Sequence, residues 1–381
     1  MSEEIITFEP NNDVPPLPSL AKGLQDVSRK HSGKNSRPNR PSPSHKEETP
    51  VIPIQINGGR SEKRKLTHIV NEMCRSDAGR MILDAATKAG YSLCFDRSTV
   101  EDDTFGYADP TEKYCALNPQ NSVAESIVTL AHELRHAHQF QSRMIYDIMP
   151  QTYDTKTNII TERAMEADAE AYGCLVAWEL KQAGNPSVWN DFMAGYPEIV
   201  APFEKTLNEG GTIQEARTAA FLGWYENEVR RDGYDRTHLD DLKSTPPQQL
   251  KKKLKTASSS AIIAEICKDP DGPSYFTNNP AILESGKYAV VYDDIKKGFE
   301  RYFAARNKFK GRFPDLSLAT VPTQPRPKSK KKVKAVGKDA KNALLQNKQT
   351  HAAKIIQSKR NQEKISLEMA KAAATKQNIG R

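Results

Sequence analysis

The chain has 381 residues, a mean hydropathy of −0.70 and 27% charged residues, room for one sizeable core or two small ones. No run approaches the roughly 18 to 20 apolar residues needed to span a bilayer, and the acidic start Met1–Ile6 lacks the basic and apolar regions of a secretory signal. The net charge of +8 is unevenly spread: from Val321 onward there are 16 Lys and Arg against 3 Asp and Glu, which leaves the preceding residues net acidic.

Residues 1–60 are rich in Pro, Ser, Lys and Asn and are expected to be disordered, because they cannot bury enough apolar surface to offset their ordering entropy. Within them, Val51–Ile54 reads as a short docking strand. The folded region is expected from Ser61. Leu66, Ile69, Val70, Met73, Ala78, Met81, Ile82 and Ala85 predict one or two helices before a stop at Gly90. Tyr91–Phe95, Tyr107-Ala108 and Lys113–Leu117 read as short strands, the last two separated by the Asp109-Pro110 turn.

Asn118–Ser122 then turns into a helix expected over Val123–Arg143, with Ile127, Leu130, Ala131 and Leu134 as its packing stripe. A second helix is expected over Thr161–Ala183, capped by Thr161, and a third apolar pattern covers Ile213–Arg231. Pro246-Pro247 precedes a further apolar segment, Leu250–Cys267. The fold is expected to end near Phe313, before Pro322, Pro325 and Pro327 open a basic tail. The domain reading is therefore a disordered segment 1–60, one domain over 61–315, and a basic tail over 316–381, disordered or partly helical.

The first of the long helices carries His132-Glu133-Leu134-Arg135-His136, an H-E-x-x-H motif. Residues four apart stack on one helix face, so two imidazoles there can converge on one metal ion while Glu133 beside them serves as general base towards water. A catalytic zinc site takes three protein ligands. Downstream, Glu162, Glu166 and Glu170 recur every four residues in an alanine-rich helix, with Asp168 off that face. Such carboxylates are costly to bury unless paired or metal-bound. Glu166 is the expected third ligand and Glu162 its rival. Glu170, one turn on, is placed to hold the far nitrogen of a histidine ligand.

This motif resembles the gluzincin zinc metallopeptidases, in which H-E-x-x-H is followed by a Glu ligand on a later helix. Glu166-Ala-Asp-Ala-Glu170 is similar to their E-x-x-A-D or E-x-x-A-N signature, with Glu in the final place. Thr129–Gln139 also resembles a bacterial group of metallopeptidase domains. The resemblance covers about residues 65–230. It implies an α+β, mostly helical zincin-like metallopeptidase domain with a small sheet, bound Zn2+ and hydrolysis of a protein or peptide substrate. Candidate stabilisers of the developing oxyanion are His138, Tyr146, Tyr153, Arg163 and Tyr225. The metzincin spacing is absent.

Two other readings stand beside this one. The motif can be a solvent-facing charged stripe. Alternatively, the chain is a non-catalytic interaction protein whose basic tail, residues 326–381, contacts nucleic acid or another polyanion by charge, since no aromatic residues interleave the lysines for base stacking. Five widely spaced cysteines without C-x-x-C favour a reducing, cytoplasmic setting. A flexible basic C terminus also resembles substrates of host-directed secretion systems. Cys174 is expected in the core, and His238 and Asp240 in a surface loop.

Overall fold

A computed structural model describes residues 54–101, 104–146, 152–244, 254–310 and 320–321. The expectations for 1–53 and for the tail beyond 321 lie outside these residues, as do Pro246-Pro247.

The first strand, β1 (Gln55–Ile56), leads through Gly58, whose φ of +123° suits glycine, into α1 (Arg60–Met73). Glu62 closes the start of α1 by accepting from the Gly59 amide at 2.8 Å. Leu66, Ile69, Val70 and Met73 bury the stripe that their spacing predicts. In α2 (Asp77–Lys88), Ser76 caps the helix by accepting from the Gly79 amide. A Cβ on Gly79 would stand 2.3 Å from the Met73 carbonyl, so only glycine allows α1 and α2 to join this tightly. β2 (Ser92–Phe95), the short α3 (Ser98–Glu101), β3 (Gly106–Asp109) and β4 (Tyr114–Leu117) follow. The sheet runs β1-β2-β4-β3, parallel except for β3, which pairs antiparallel with β4 and forms one edge.

α4 (Val123–Gln139) starts at a capping box in which Ser122 and Glu125 satisfy each other's backbone amides. It packs against β3 and β4 on one side and α6 (Thr155–Gln182) on the other, with the short α5 (Arg143–Tyr146) between them in the chain. α4 ends at Gln139, not Arg143: the Gln141 and Ser142 amides fold back onto the His138 and Gln139 carbonyls as a turn. α6 begins six residues before the expected Thr161. Asp154 is its cap, accepting from the Thr157 amide at 2.7 Å, and Thr161 lies inside the helix with its hydroxyl on the Thr157 carbonyl. α6 is buried on nearly every face. A Cβ on its Gly173 would meet Val128 of α4 at 3.4 Å, which marks a close crossing of the two helices.

α7 (Pro186–Gly195), α8 (Pro197–Asn208) and α9 (Ile213–Trp224) enclose the far side of α6 with Trp189, Phe192, Phe203, Phe221 and Trp224. The apolar run Ile213–Arg231 is broken at Asn227, whose side chain accepts from the Arg230 amide and opens α10 (Glu228–Ser244). α11 (Ser259–Ile266) lies against α6, and α12 (Gly286–Ala289) precedes β5 (Val291–Tyr292), α13 (Asp293–Lys310) and β6 (Thr320–Val321). β5 and β6 pair in parallel. Ile159, Leu239, Leu242, Val291, Ile295 and Phe299 form a second small core between α6, α10 and α13. The result is a mostly helical α+β domain with a small sheet. Among the described residues, no helix is long and apolar enough to cross a membrane.

Candidate metal centre

Helical geometry brings His132 and His136 together on the α4 face that meets α6. Their Nε2 atoms stand 3.0 Å apart and their rings meet edge to face. Glu166 approaches from α6, with Oε2 3.5 Å from His132 Nε2 and Oε1 3.4 Å from His136 Nε2. All three residues are buried, and among the described residues they form the one group of His, Cys, Asp and Glu side chains close enough to share an ion. Ligand atoms about 2.0–2.1 Å from a tetrahedral zinc lie about 3.4 Å from each other. The nearest separations, 3.0 to 3.5 Å, are of that size, with one Glu166 oxygen towards each histidine, and two imidazoles with one carboxylate are the donor chemistry zinc takes. The residues present therefore suit Zn2+.

The electrostatics fit a cluster built to hold positive charge. Burial disfavours charge on each group, yet the mutual attraction of His136 and Glu166 wins. It keeps the Glu166 carboxyl well below the usual range and lifts His136 to about 9. Glu133 is buried beside them, on the side of α4 that reaches β4. Burial raises the Cys115 thiol of β4, and the Glu133 charge raises it further; the same charge acts on His136.

Behind the histidines stand further polar groups. Glu170 Oε1 lies 3.6 Å from His132 Nδ1, an electrostatic neighbour at longer than hydrogen-bond range. His136 Nδ1 meets Gln139 Oε1 at 2.8 Å. Asp168, off the ligand face as expected, accepts from Gln139 Nε2 at 2.7 Å, from Arg135 Nε at 2.6 Å and from the Tyr275 hydroxyl at 2.8 Å. Arg135 also donates to the Ile266 carbonyl at the end of α11.

The remaining expected site residues have other partners. Glu162, the rival ligand, is turned to His238, whose Nδ1 is 2.7 Å from Glu162 Oε1. His238 is a buried residue of α10 rather than a loop residue, and Asp240 is on the same helix, exposed. Arg163 is consumed by a buried fork to Asp235, at 2.9 and 2.5 Å, and by the Tyr288 and Val290 carbonyls. His138 is on the opposite side of α4 from the ligands, 3.3 Å from Arg135; burial and that guanidinium push it down to about 4. Tyr153 bridges to Lys255 at the start of α6, with the ammonium over its ring. Tyr225 is buried among Phe221, Trp224 and Tyr288. The Tyr146 side chain lies outside the described residues.

Three residues of the centre were not anticipated. Tyr234 of α10 donates its hydroxyl to Glu166 Oε2 at 2.6 Å. Tyr196, between α7 and α8, is buried where the Glu166 and Glu133 charges both reach it; burial and those charges raise its hydroxyl. Gln139 is the third. One signal was present: α10 is strongly polar, yet Tyr234, Asp235 and His238 are spaced to share a helix face, a pattern that asks for buried polar partners.

Residues 44–277 match the family described as "Putative metallopeptidase family (DUF6782)". No curated protein and no solved structure matches the chain.

Proposed function

The chain belongs to this metallopeptidase family, and from that premise we propose that it hydrolyses peptide bonds at the α4–α6 centre, with His132, His136 and Glu166 as zinc ligands and Glu133 as general base. The observation that carries the reading is that His132 and His136 Nε2 stand 3.0 Å apart with one Glu166 oxygen 3.5 Å from the first and the other 3.4 Å from the second, and that a buried glutamate lies one residue from His132. When bound there, Zn2+ supplies Lewis acidity towards a carbonyl and makes water easier to deprotonate.

The chain's own residues provide the rest. Glu133 takes the proton from the attacking water and returns it to the leaving amine. Its burial keeps bulk water from competing and strengthens its field on the reacting atoms. Tyr234 restrains the Glu166 carboxylate through its hydrogen bond, so that both oxygens face the histidines in a fixed orientation. Glu170 sets a carboxyl oxygen 3.6 Å from the outer nitrogen of His132.

The substrate class is protein or peptide. The edge position of β3 and its contact with α4 support an extended peptide laid along the sheet edge towards the motif. Unpaired cysteines at all five positions support a reducing, cytoplasmic setting. The 16 Lys and Arg of residues 326–381 support an accessory contact with nucleic acid or another polyanion. The deciding experiment is Glu133→Gln in the full chain: zinc content stays near one per molecule while hydrolysis of a mixed peptide substrate is lost. Unchanged turnover excludes Glu133 as the base.

A further inference from the structure

Gln139 lies three residues beyond His136, on the last turn of α4, and is buried. The two ends of its amide can be told apart by their neighbours. One end lies 2.7 Å from the Asp168 carboxylate and 3.1 Å from the Met165 carbonyl. Both neighbours only accept hydrogen bonds, so this end must be the donating NH2 group. The other end, 2.8 Å from His136 Nδ1, is therefore the carbonyl oxygen, and the ring must donate to it. An imidazole with its proton fixed on Nδ1 offers its lone pair at Nε2, the atom that faces His132 and Glu166.

We infer that Gln139, oriented by Asp168, is the positioning residue that holds His136 in the tautomer able to bind metal. The inference rests on the zinc reading of the centre. The usual partner of a ligand histidine is a carboxylate or a backbone carbonyl in direct contact. Here a carboxylate acts one step removed, through a neutral amide. Asp168 is held by Arg135 Nε at 2.6 Å and Nη2 at 3.1 Å and by the Tyr275 hydroxyl at 2.8 Å, all fully or almost fully buried. Its lone pairs are thus directed, and the amide has no equivalent alternative orientation. Reversing it would set the Gln139 carbonyl against the Asp168 carboxylate, acceptor against acceptor. The anchor of Arg135 on the Ile266 carbonyl extends the brace to α11. A segment more than a hundred residues along the chain thereby helps set one ring's proton.

The test uses the full chain labelled with 15N at its eight histidines. The His136 signal is assigned by its loss in His136→Gln. A slowly exchanging Nδ1–H correlation from His136 is expected in the zinc-loaded protein and in the metal-free protein at a pH where the ring is neutral. Gln139→Leu abolishes the signal and weakens zinc binding about 10- to 100-fold in chelator competition. Asp168→Asn moves both readouts the same way, because a side chain that both donates and accepts no longer forces the direction of its neighbour. Gln139→Glu with Asp168→Asn together restores one carboxylate and one amide in exchanged places. That double variant is expected to bind zinc more tightly than either single variant.

Absence of a His136 Nδ1–H signal in the unaltered chain overturns the inference, whether or not zinc binds. So does a folded Gln139→Leu that binds zinc as the unaltered chain does. If Gln139→Leu does not fold, a folded double variant with affinity no better than Asp168→Asn alone overturns it. A protected Nδ1–H that depends on Gln139, in a chain that takes up no zinc, leaves the hydrogen-bond relay standing and removes the metal reading instead.

Discussion

The Tyr234 hydroxyl donates to Glu166 Oε2 at 2.6 Å, and that oxygen also faces His132 Nε2 at 3.5 Å. The two residues are 68 positions apart, on α10 and α6. Glu166 is thus not a lone carboxylate but one whose rotation is restrained by a residue of α10. Removing the hydroxyl as Tyr234→Phe keeps the ring's packing against Trp224 and frees the carboxylate to turn. Zinc affinity is expected to fall about tenfold, as for loss of other outer partners of metal ligands. Chelator competition checks it, with thermal melting to confirm that the fold is kept.

The two candidate third ligands separate cleanly by substitution. Glu166→Ala should lower zinc affinity more than about 100-fold, since it removes a ligand rather than an outer partner. Glu162→Ala should leave affinity unchanged, because Glu162 is partnered by His238. Metal analysis after dialysis distinguishes them. Zinc retained by the first variant and lost by the second would reverse the assignment.

For Glu133→Gln the expected loss in kcat is about 10²- to 10⁴-fold, the range for removing a general base. KM should change little, because the substitution leaves the size of the side chain intact. Steady-state kinetics on a peptide pool and zinc content by mass spectrometry are the two readouts.

Acid should drive zinc off. His136 is lifted to about 9: burial opposes its charge, and the Glu166 carboxylate more than restores it. Below that pH the metal-free ring carries a proton on the atom zinc needs, so binding must expel it. Zinc affinity should therefore rise about tenfold per pH unit towards about pH 9 and level off above it. Competition titrations from about pH 6 to about pH 9 test the slope; a flat profile excludes the His136–Glu166 proton pair.

The Arg163–Asp235 fork predicts a stability effect without a catalytic one. Both side chains are almost fully buried. Arg163→Met leaves Asp235 uncompensated and should cost about 3–5 kcal/mol in chemical denaturation. The fraction that remains folded should keep its kcat; an oxyanion role for Arg163 would instead cost about 10²- to 10³-fold.

What the sequence made legible was local. His132 and His136 are four apart on one helix, and Glu166 stands out as a carboxylate among alanines, so both pieces could be read from spacing and from the cost of burial. The strands β2, β3 and β4 and the two-helix start are readable from short apolar runs, whereas β1 lies at Gln55–Ile56, just beyond the expected Val51–Ile54. The rest depends on contacts distant in the chain. Arg163 looked available for catalysis because Asp235, its partner, is 72 residues away. His238 looked like a loop residue because α10 has too few apolar residues to announce a helix, and it is held instead by buried polar pairs. The start of α6 was misplaced because Thr161 resembles a cap, although Asp154 upstream already accepts from the Thr157 amide.

α6 serves several partners from one short stretch. Glu162 answers to α10, Arg163 to Asp235, Glu166 to the histidines, Asp168 to Arg135 and Glu170 to His132. The three glutamates share one face, Arg163 and Asp168 lie off it, and these directions are set by one helical phase. Inserting or deleting a single residue between Glu162 and Glu170 would rotate everything beyond it by about 100°. The length of this stretch should therefore be invariant among all homologous chains that keep the metal.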